Sequence, residues 1–265
     1  MRRAAAIILI VLFTVALLAD QIAPYPFEAQ FRDAPDAPPS GTHLLGTDSL
    51  GRDRLSRLLH GARISMLLAP AGALISVSLA VLIALLGASA GAWCERAFTA
   101  AADLFLSLPW IFLLIAARAL LPLNTSSVAA AFVTFGLLGV LGWAGPSRVM
   151  MAAVKRRLAA DFVLLARASG CGGARLALVH LAPHLKSIAT AQFLITTPAF
   201  LLAEASLGLL GLGIPEPLPS WGGLLRELES LPDVAAHPWT LAPALSLILV
   251  VGLIHLAIPD DECHV

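Results

Sequence analysis

The chain has 265 residues, of which 58% are hydrophobic and only 13% charged, and its mean hydropathy is +0.87. Soluble domains carry about 25% charged residues, so this composition excludes a water-soluble fold and indicates a protein embedded in lipid. The 17 basic and 17 acidic residues balance, no basic stripe recurs, and nucleic acid is therefore not an expected partner. The three cysteines form no CxxC pair and are interpreted as isolated thiols rather than a disulfide framework.

Six hydrophobic segments follow one another along the chain and predict about six transmembrane helices. They lie near 3–20, 64–92, 98–121, 127–145, 188–211 and 241–258, and a bilayer requires about 20 apolar residues per span. The first segment follows two arginines and is also compatible with a signal peptide, but no A-x-A cleavage site follows it, which favours a retained span. The predicted fold class is an all-α membrane protein.

Residues 21–62 form the one long polar excursion from this pattern. Their first half is rich in proline and predicts extended chain. In the second half leucines recur at near-helical spacing between Leu50 and Leu59, which predicts an amphipathic helix on the membrane surface that leads into the second span. Asp48 is expected to cap the N-terminus of this helix, because a carboxylate there accepts from free backbone N–H groups.

Fixed polar positions are interleaved with these leucines. They follow the pattern GTDxxGRDxxSRxxxGxR and comprise Gly46, Thr47, Asp48, Gly51, Arg52, Asp53, Ser56, Arg57, Gly61 and Arg63. The pattern resembles an extracytoplasmic signature of ABC importer permeases of the dipeptide/oligopeptide/nickel family. A generic amphipathic connector would not match so many polar positions. The motif is expected to be a structural clamp, with a contact to the substrate as the alternative.

A basic, glycine-punctuated loop spans residues 161–184, between the fourth and fifth segments. It resembles the EAA loop by which permeases of this family contact their ATPase, and two short helices broken at Gly and Pro can form such a protrusion. The resemblance assigns the coupling contact to Asp161, Ala166, Arg167, Gly170, His180 and Pro183. The glutamate that gives the loop its name would fall at Leu164, so one charged contact is missing.

The end of the fifth segment and the residues after it, from Ala203 to Gly222, also resemble a run of this family. An ionisable group near the end of a span usually faces a polar cavity or a partner, and glycines there indicate close helix approach or a broken helix. The candidates for the translocation path are Glu204, Ser206, Gly208, Gly211, Gly213 and Trp221. Glu204 is expected to face a wet cavity or the partner subunit, or else to lie in water at the outer interface.

The resemblance implies a type I ABC importer permease fold, with about six helices and a cytoplasmic coupling loop. It divides the chain into residues 1–63 (first helix, extracytoplasmic loop and amphipathic helix), 64–258 (the permease domain) and 259–265 (a short tail). It places the protein in the bacterial inner membrane with both termini cytoplasmic. The implied partners are membrane lipid, a second homologous permease, two ATPase subunits and an extracytoplasmic solute-binding protein.

The chain is not expected to be an enzyme or to hold a cofactor or metal. A P-loop requires glycine immediately before its lysine, whereas Lys155 follows Val154 and Lys186 follows Leu185. ATP hydrolysis is therefore expected on separate subunits. The expected function is a permease for peptides or a related small solute, a nickel chelate included.

Two alternatives remain open. A stand-alone secondary transporter or channel would predict internal repeats and charged residues at mid-membrane, whereas the sequence shows no repeat and charges within the spans are almost absent. A degenerate relative that no longer transports is the other alternative. It arises because the coupling loop lacks its glutamate and because the short ending IPDDECHV departs from the family's C-terminal tail.

Overall fold

The computed structural model describes residues 2–119, 125–158, Val163, 172–229 and 237–258. In these ranges the regular structure is helical, apart from two isolated antiparallel bridges, Gln30 with Arg52 and Thr47 with Asp53. The predicted all-α class is therefore confirmed.

The described helices follow in chain order. They are α1 (Arg2–Leu17), α2 (Ala19–Ile22), α3 (Arg54–Ala90), α4 (Ala92–Ser107), α5 (Trp110–Ala119), α6 (Ser127–Leu141), α7 (Ala144–Leu158), α8 (Ala182–Leu209), α9 (Trp221–Leu225) and α10 (Ala242–Ala257). A helical turn at Gly173–Arg175 and a π-helical stretch at Leu176–Leu181 precede α8. Short 3₁₀ turns occupy Arg226–Glu229 and Pro238–Leu241.

Four of the described helical stretches are long and apolar enough to cross a membrane. They are Arg54–Ala90, Ser127–Leu158, Ala182–Leu209 and Pro238–Ala257, and they coincide with four of the six predicted segments. The first predicted segment forms α1, whose 16 residues extend roughly 24 Å, and α2 continues the chain to Ile22. The third predicted segment is divided, because Pro109 lies between the end of α4 and the start of α5.

The chain divides into two compact units. The first consists of Met1–Pro70, Arg118–Phe135 and Pro198–Ile258, and the second of Ala71–Ala117, Gly136–Thr197 and Pro259–Val265. In the first unit α1 packs against α10, and α10 also contacts α9. All the clusters described in the next subsection lie within this first unit.

The second unit has its own apolar core. Buried residues of α3 and α7 pack with Val163, with the π-helical stretch and with the start of α8: Val77, Ala80, Ala84, Met150, Met151, Ala153, Val154, Val163, Leu176, Leu181 and Leu185. Two exposed ion pairs join α4 to α7, from Glu95 to Lys155 at 3.2 Å and from Asp103 to Arg148 at 2.8 Å. Exposed pairs of this kind contribute about 0–1 kcal/mol each, so apolar packing dominates here.

The predicted surface helix between Leu50 and Leu59 is not present. Residues 46–53 form a turn with two isolated bridges, and the helix that follows starts at Arg54 and continues into the membrane-length α3. Its first turns are buried on their polar side, with Ser56 at 0% and Arg57 at 2% exposure. The leucine spacing was correct for Leu55–Leu59, but the polar positions contact the rest of the chain instead of water.

Candidate functional site

Two glycines shape the turn that carries the predicted extracytoplasmic motif. Gly46 and Gly51 have φ angles of +70° and +72°, a region that L side chains rarely adopt. Space also demands glycine, because a Cβ would lie 2.3 Å from the carbonyl oxygen of Ala37 at position 46 and 2.2 Å from that of Phe31 at position 51. The turn therefore folds back onto residues 31–37.

This fold places four charged side chains in one network, here called the arginine clamp: Asp48, Arg52, Arg57 and Glu216. Arg52 Nε donates to Asp48 Oδ2 at 2.7 Å, and Arg52 Nη1 donates to Glu216 Oε2 at 2.8 Å. Arg57 Nη2 donates to Glu216 Oε1 at 2.7 Å. The glutamate thus bridges both arginines, and the segment 46–57 is joined to the loop between α8 and α9.

Burial makes this network a strong constraint. The side chains of Asp48, Arg52 and Arg57 are 3%, 10% and 3% exposed, whereas that of Glu216 is 59% exposed. Burial disfavours the Arg52 cation, but the hydrogen bonds and charges of Asp48 and Glu216 together outweigh that effect and raise the pKa of Arg52 above its ordinary value. Two cations face two anions, so the clamp is neutral as a whole and each member depends on the others.

Asp48 does not cap a helix, contrary to the prediction. Its Oδ1 accepts from the backbone N–H groups of Leu50 and Arg52 at 3.0 and 2.8 Å, which closes the turn before the helix begins. The cap of α3 is Asp53, whose Oδ2 accepts from the N–H and the hydroxyl of Ser56 at 2.8 and 2.7 Å. Gly51 lets the chain reverse between the two aspartates, and the helix starts only after this reversal.

The remaining motif residues also make contacts within the chain. Asp53 Oδ1 lies 2.9 Å from His43 Nδ1, and Thr47 Oγ1 donates to the carbonyl oxygen of Ala34. A Cβ at Gly61 would lie 3.3 Å from Ser220, so α3 passes close to the start of α9.

Arg63 Nη1 donates to Asp20 Oδ2 at 2.6 Å. Within the described residues, these contacts join the motif to Asp20, Ala34 and His43.

A second cluster, here called the glutamate node, consists of Ser65, Glu204, Ser220, Trp221 and Gly222. Glu204 is 0% exposed and accepts from Ser220 Oγ at 2.6 Å, from the Gly222 N–H at 3.1 Å and from Ser65 Oγ at 3.5 Å. Ser65 Oγ in turn accepts from the Trp221 N–H at 3.1 Å. One carboxylate of α8 therefore holds the start of α9 against α3.

Glycines permit this contact because backbone meets backbone. A Cβ at Gly208 would lie 2.1 Å from the carbonyl carbon of Gly222, and a Cβ at Gly222 would lie 2.5 Å from the Glu204 carbonyl oxygen. A Cβ at Gly213 would likewise lie 2.8 Å from the Cα atom of Gly208. The close approach expected from the glycines is therefore found, and it joins α8 to the segment that follows it.

Gly211 has a different role, because it ends α8. Its φ is +70°, its N–H donates to the Gly208 carbonyl oxygen at 2.9 Å, and the Leu212 N–H donates to the Leu207 carbonyl oxygen at 2.8 Å. This pair of bonds is the Schellman arrangement, which favours glycine at the left-handed position.

The structure thus revises the expectations for Glu204. The carboxylate does not lie in water at the interface, because it is fully buried among the donors of its own chain. Among the described residues it faces no open surface, since its exposure is 0%. Trp221 is buried as well, and its indole N–H donates to the Leu58 carbonyl oxygen at 3.3 Å. Ser206 differs from both, since it is half-buried and its hydroxyl bonds the Leu202 carbonyl oxygen of the same helix.

The predicted coupling contact falls largely outside the described residues. Asp161, Ala166, Arg167 and Gly170 are not among them, and neither is the side chain of His180. Pro183 is described and lies exposed in the first turn of α8.

Four residues of the two clusters were not among the predicted site residues: Glu216, Ser65, Ser220 and Gly222. Glu216 lies between two prolines after an apolar run. An acidic residue at such a position was the one feature of the sequence that could have indicated a partner for the arginines. Ser220 precedes Trp221-Gly222-Gly223 and caps α9, accepting from the Gly223 N–H at 3.0 Å, which is typical of a serine before a helix. Ser65 has no signal in the sequence, because a serine inside an apolar helix is common.

The described part of the chain is helical and includes four stretches of membrane length. The chain belongs to the family described as "Binding-protein-dependent transport system inner membrane component", whose sequence profile matches residues 76–258.

Individual relatives match along most of the chain. The di/tripeptide transport system permease protein DppC of Pseudomonas aeruginosa is 33% identical over 249 residues, which cover 91% of this chain and 79% of the relative. The oligopeptide transport system permease protein OppC of Bacillus subtilis is 28% identical over 235 residues, covering 89% and 74%. OppC of Mycobacterium bovis is 31% identical over 244 residues, covering 92% and 82%.

These matches define the class of this protein. It is a membrane permease of an ABC importer, with the type I importer permease fold, and it works with other components of such a transporter. ATP hydrolysis belongs to separate subunits and not to this chain. Nothing in the matches favours a stand-alone secondary transporter or channel.

Proposed function

We propose that this chain forms, with a second homologous permease, the translocation path of an ATP-driven peptide importer. The observation that carries the proposal is the match to a di/tripeptide permease over 91% of the chain, since a match of this extent covers the spans and the loops between them. Two ATPase subunits would supply the energy, and an extracytoplasmic binding protein would deliver the peptide. A nickel chelate is the second candidate solute.

In this proposal residues 161–184 dock on the ATPase, with Asp161, Ala166, Arg167, Gly170, His180 and Pro183 forming the contact. Both termini lie in the cytoplasm, and the polar segment 21–62 is extracytoplasmic. Residues 1–63, 64–258 and 259–265 serve as entry region, permease domain and tail. The basic side chains of α7, Lys155, Arg156 and Arg157, support a cytoplasmic position for its C-terminal end.

The two buried clusters have a structural part in the proposal. The arginine clamp and the glutamate node both hold the segment 214–222 against α3. A fixed segment at the extracytoplasmic end would give the delivery protein a defined surface. Gly208, Gly211, Gly213 and Trp221 would shape the adjoining end of the path rather than bind the solute.

Affinity purification of the tagged chain, co-expressed with its proposed partners, tests the assembly. We expect a complex that contains one second permease and two ATPase chains. Purification of a stable oligomer of this chain alone, with no ATPase bound, would reject the proposed assembly and favour the degenerate relative.

A further inference from the structure

Three helices pass from one compact unit of the chain to the other within their own length. The chain changes unit at Pro70–Ala71 in α3, at Phe135–Gly136 in α6 and at Thr197–Pro198 in α8. Its other two changes of unit lie near the end of α5 and after α10. All three helices belong to stretches that are long enough to cross a membrane. The backbone therefore passes between the units inside three predicted spans.

A proline interrupts the hydrogen bonding of α3 and of α8 at these points. Pro70 and Pro198 lie in the helix interiors and neither begin nor end a helix. Proline has no N–H to donate to the carbonyl oxygen four residues earlier, here that of Met66 or Leu194, which weakens a helix strongly. Sharp kinks in helices occur mostly at such prolines. Both helices are thus weakened where they change unit.

Glycine takes the place of proline in α6. A Cβ at Gly136 would meet nothing within 4 Å, so packing does not require glycine there, and alanine would favour the helix. Thr134 Oγ1 donates to the carbonyl oxygen of Ala130 at 2.7 Å. A threonine that bonds the carbonyl four residues earlier often bends its helix. α6 therefore has two features that weaken a helix beside its change of unit.

The same threonine bond occurs in α8. Thr197 Oγ1 donates to the carbonyl oxygen of Phe193 at 2.8 Å, directly before Pro198. Thr197 and Thr134 are both buried, at 5% and 2% exposure. Each of the three helices thus has a proline or a glycine at its change of unit, and two of them add a buried threonine. These residue types disfavour a helix, so helix stability does not account for their choice.

The parts of α3 and α8 on either side of these points are held by tertiary contacts. On one side, Ser65 of α3 donates to Glu204 of α8 at 3.5 Å within the glutamate node. On the other side, Val77 of α3 and Leu185 of α8 are buried in the apolar core of the second unit. A hinge has this construction, because a few residues absorb the change in φ and ψ while the flanking parts stay packed.

We propose that α3, α6 and α8 bend at Pro70, Gly136 and Pro198 during the transport cycle, an inference that rests on the proposed function. The bending points are built into the spans themselves and lie apart from the coupling loop. Replacing them by alanine straightens the helices and favours one conformation of the chain. The variants therefore remain folded but complete fewer cycles.

Hydrogen–deuterium exchange of the full chain in lipid nanodiscs tests the bending points. Pro70→Ala and Pro198→Ala restore a backbone donor, and should slow exchange in the adjoining turns by about 2- to 10-fold, as expected for one hydrogen bond. The unfolding midpoint should not fall. Pro243→Ala is the matched control, because Pro243 lies in the first turn of α10, where no helical bond is missing; exchange should be unchanged. Unchanged exchange in Pro70→Ala and Pro198→Ala, or a lower midpoint, would overturn the proposal.

The assembled complex tests whether transport uses these points. The two proline variants and Gly136→Ala should each lower peptide-stimulated ATPase activity by about 2- to 10-fold, because a stiffer helix populates its bent form less. Gly252→Ala in α10 is the glycine control, since a Cβ there also meets nothing within 4 Å; it should retain full stimulation.

Two results of the ATPase measurement have different meanings. Slower exchange combined with full stimulation of the proline variants would show that transport does not use the bends, and would reject the proposal. A wild-type complex that peptide does not stimulate would instead reject the proposed function. The exchange measurement needs no partner subunit, so it decides in either case whether the helices bend at these points.

Discussion

At the scale of single residues, Glu204 shows how a carboxylate is accommodated inside a membrane protein. An ionised group without partners is strongly disfavoured in an apolar interior, yet this side chain is fully buried in a membrane-length helix. Two serine hydroxyls and one backbone N–H donate to it. The carboxylate therefore connects α8 to the start of α9 and to α3 through hydrogen bonds.

Substitution of Glu204 should expose this role. Glu204→Leu leaves the Gly222 N–H and two hydroxyls without their acceptor, which should destabilise the chain by about 1–3 kcal/mol for each unpaired group. Glu204→Gln retains an acceptor for the Gly222 N–H, and the hydroxyls can rotate to accept from its amide, so a smaller loss is expected. Thermal unfolding of the purified chain in detergent measures both effects.

Ser206→Ala serves as the control for this pair, because its hydroxyl bonds only a carbonyl of its own helix. It should leave the unfolding midpoint nearly unchanged. Normal stability of Glu204→Leu combined with loss of uptake would instead place the carboxylate on the solute path.

The two aspartates of the motif show what sequence can and cannot reveal at this scale. Asp48 and Asp53 are both suitable helix caps by residue type, and the sequence analysis placed both among the fixed polar positions of the motif. Which of them caps α3 depends on where the chain reverses, and that is set by the close contact of Gly51 with the Phe31 backbone. Such a contact is made across a distance in sequence, so local patterns do not predict it.

At the scale of helices, the apolar segments predicted where helices form better than where they end. Four segments match helical stretches of membrane length, because hydrophobicity marks the part that lipid or core must cover. The break at Pro109 and the start of α3 at Arg54 were not predicted. The hydrophobic run continues through Pro109, where proline geometry ends α4. The residues around Arg54 are polar, and their tertiary contacts set the start of α3.

The contact between α8 and α9 should tolerate no side chain at Gly208. Gly208→Ala places a Cβ 2.1 Å from the Gly222 backbone, so the two segments must separate and the glutamate node must open. We expect a strong loss of folded protein in size-exclusion chromatography. Gly136→Ala in α6 is the matched control, because nothing lies within 4 Å of its Cβ; alanine also favours a helix by about 1 kcal/mol over glycine. Equal yields of the two variants would contradict the close contact.

The coupling loop is tested by Gly170→Pro. Proline fixes φ and removes a backbone donor, so a turn between two docking helices should be distorted while the spans remain intact. Peptide-stimulated ATPase activity of the assembled complex should be lost, with normal expression of the variant. Gly145→Ala in α7 is the control outside the loop, since a Cβ there meets nothing within 4 Å. Unchanged stimulation in Gly170→Pro would remove this loop from the coupling mechanism.

At the scale of the whole molecule, the proposed topology predicts which cysteines an impermeant thiol reagent can reach. In a background without Cys94, Cys171 and Cys263, Ser40→Cys should react in intact cells, because Ser40 is exposed and proposed to be extracytoplasmic. Arg156→Cys in the last turn of α7 is also exposed but should react only after permeabilisation. Reaction of the cysteine at position 156 in intact cells would show that this position is outside the cell, and the proposed topology would then be wrong.

At this scale the sequence predicted the family of the protein but not the long-range contacts of its polar residues. The motifs identified the family correctly, because they combine residue types at fixed spacings that a generic membrane helix does not require. They did not show that the polar residues of the motif and Glu204 bond to this chain itself, since those contacts join positions such as Arg57 and Glu216 that are far apart along the chain. The solute is named only by the relatives.

ATP-driven uptake in proteoliposomes tests the central claim most directly. The chain is reconstituted with a second permease, the ATPase subunits and the binding protein, and entry of a labelled dipeptide is measured with and without ATP, and again with this chain omitted. We predict uptake only when ATP and all subunits are present, with no competition from a nickel chelate. Dipeptide entry through this chain alone, without ATP or ATPase, would contradict the account.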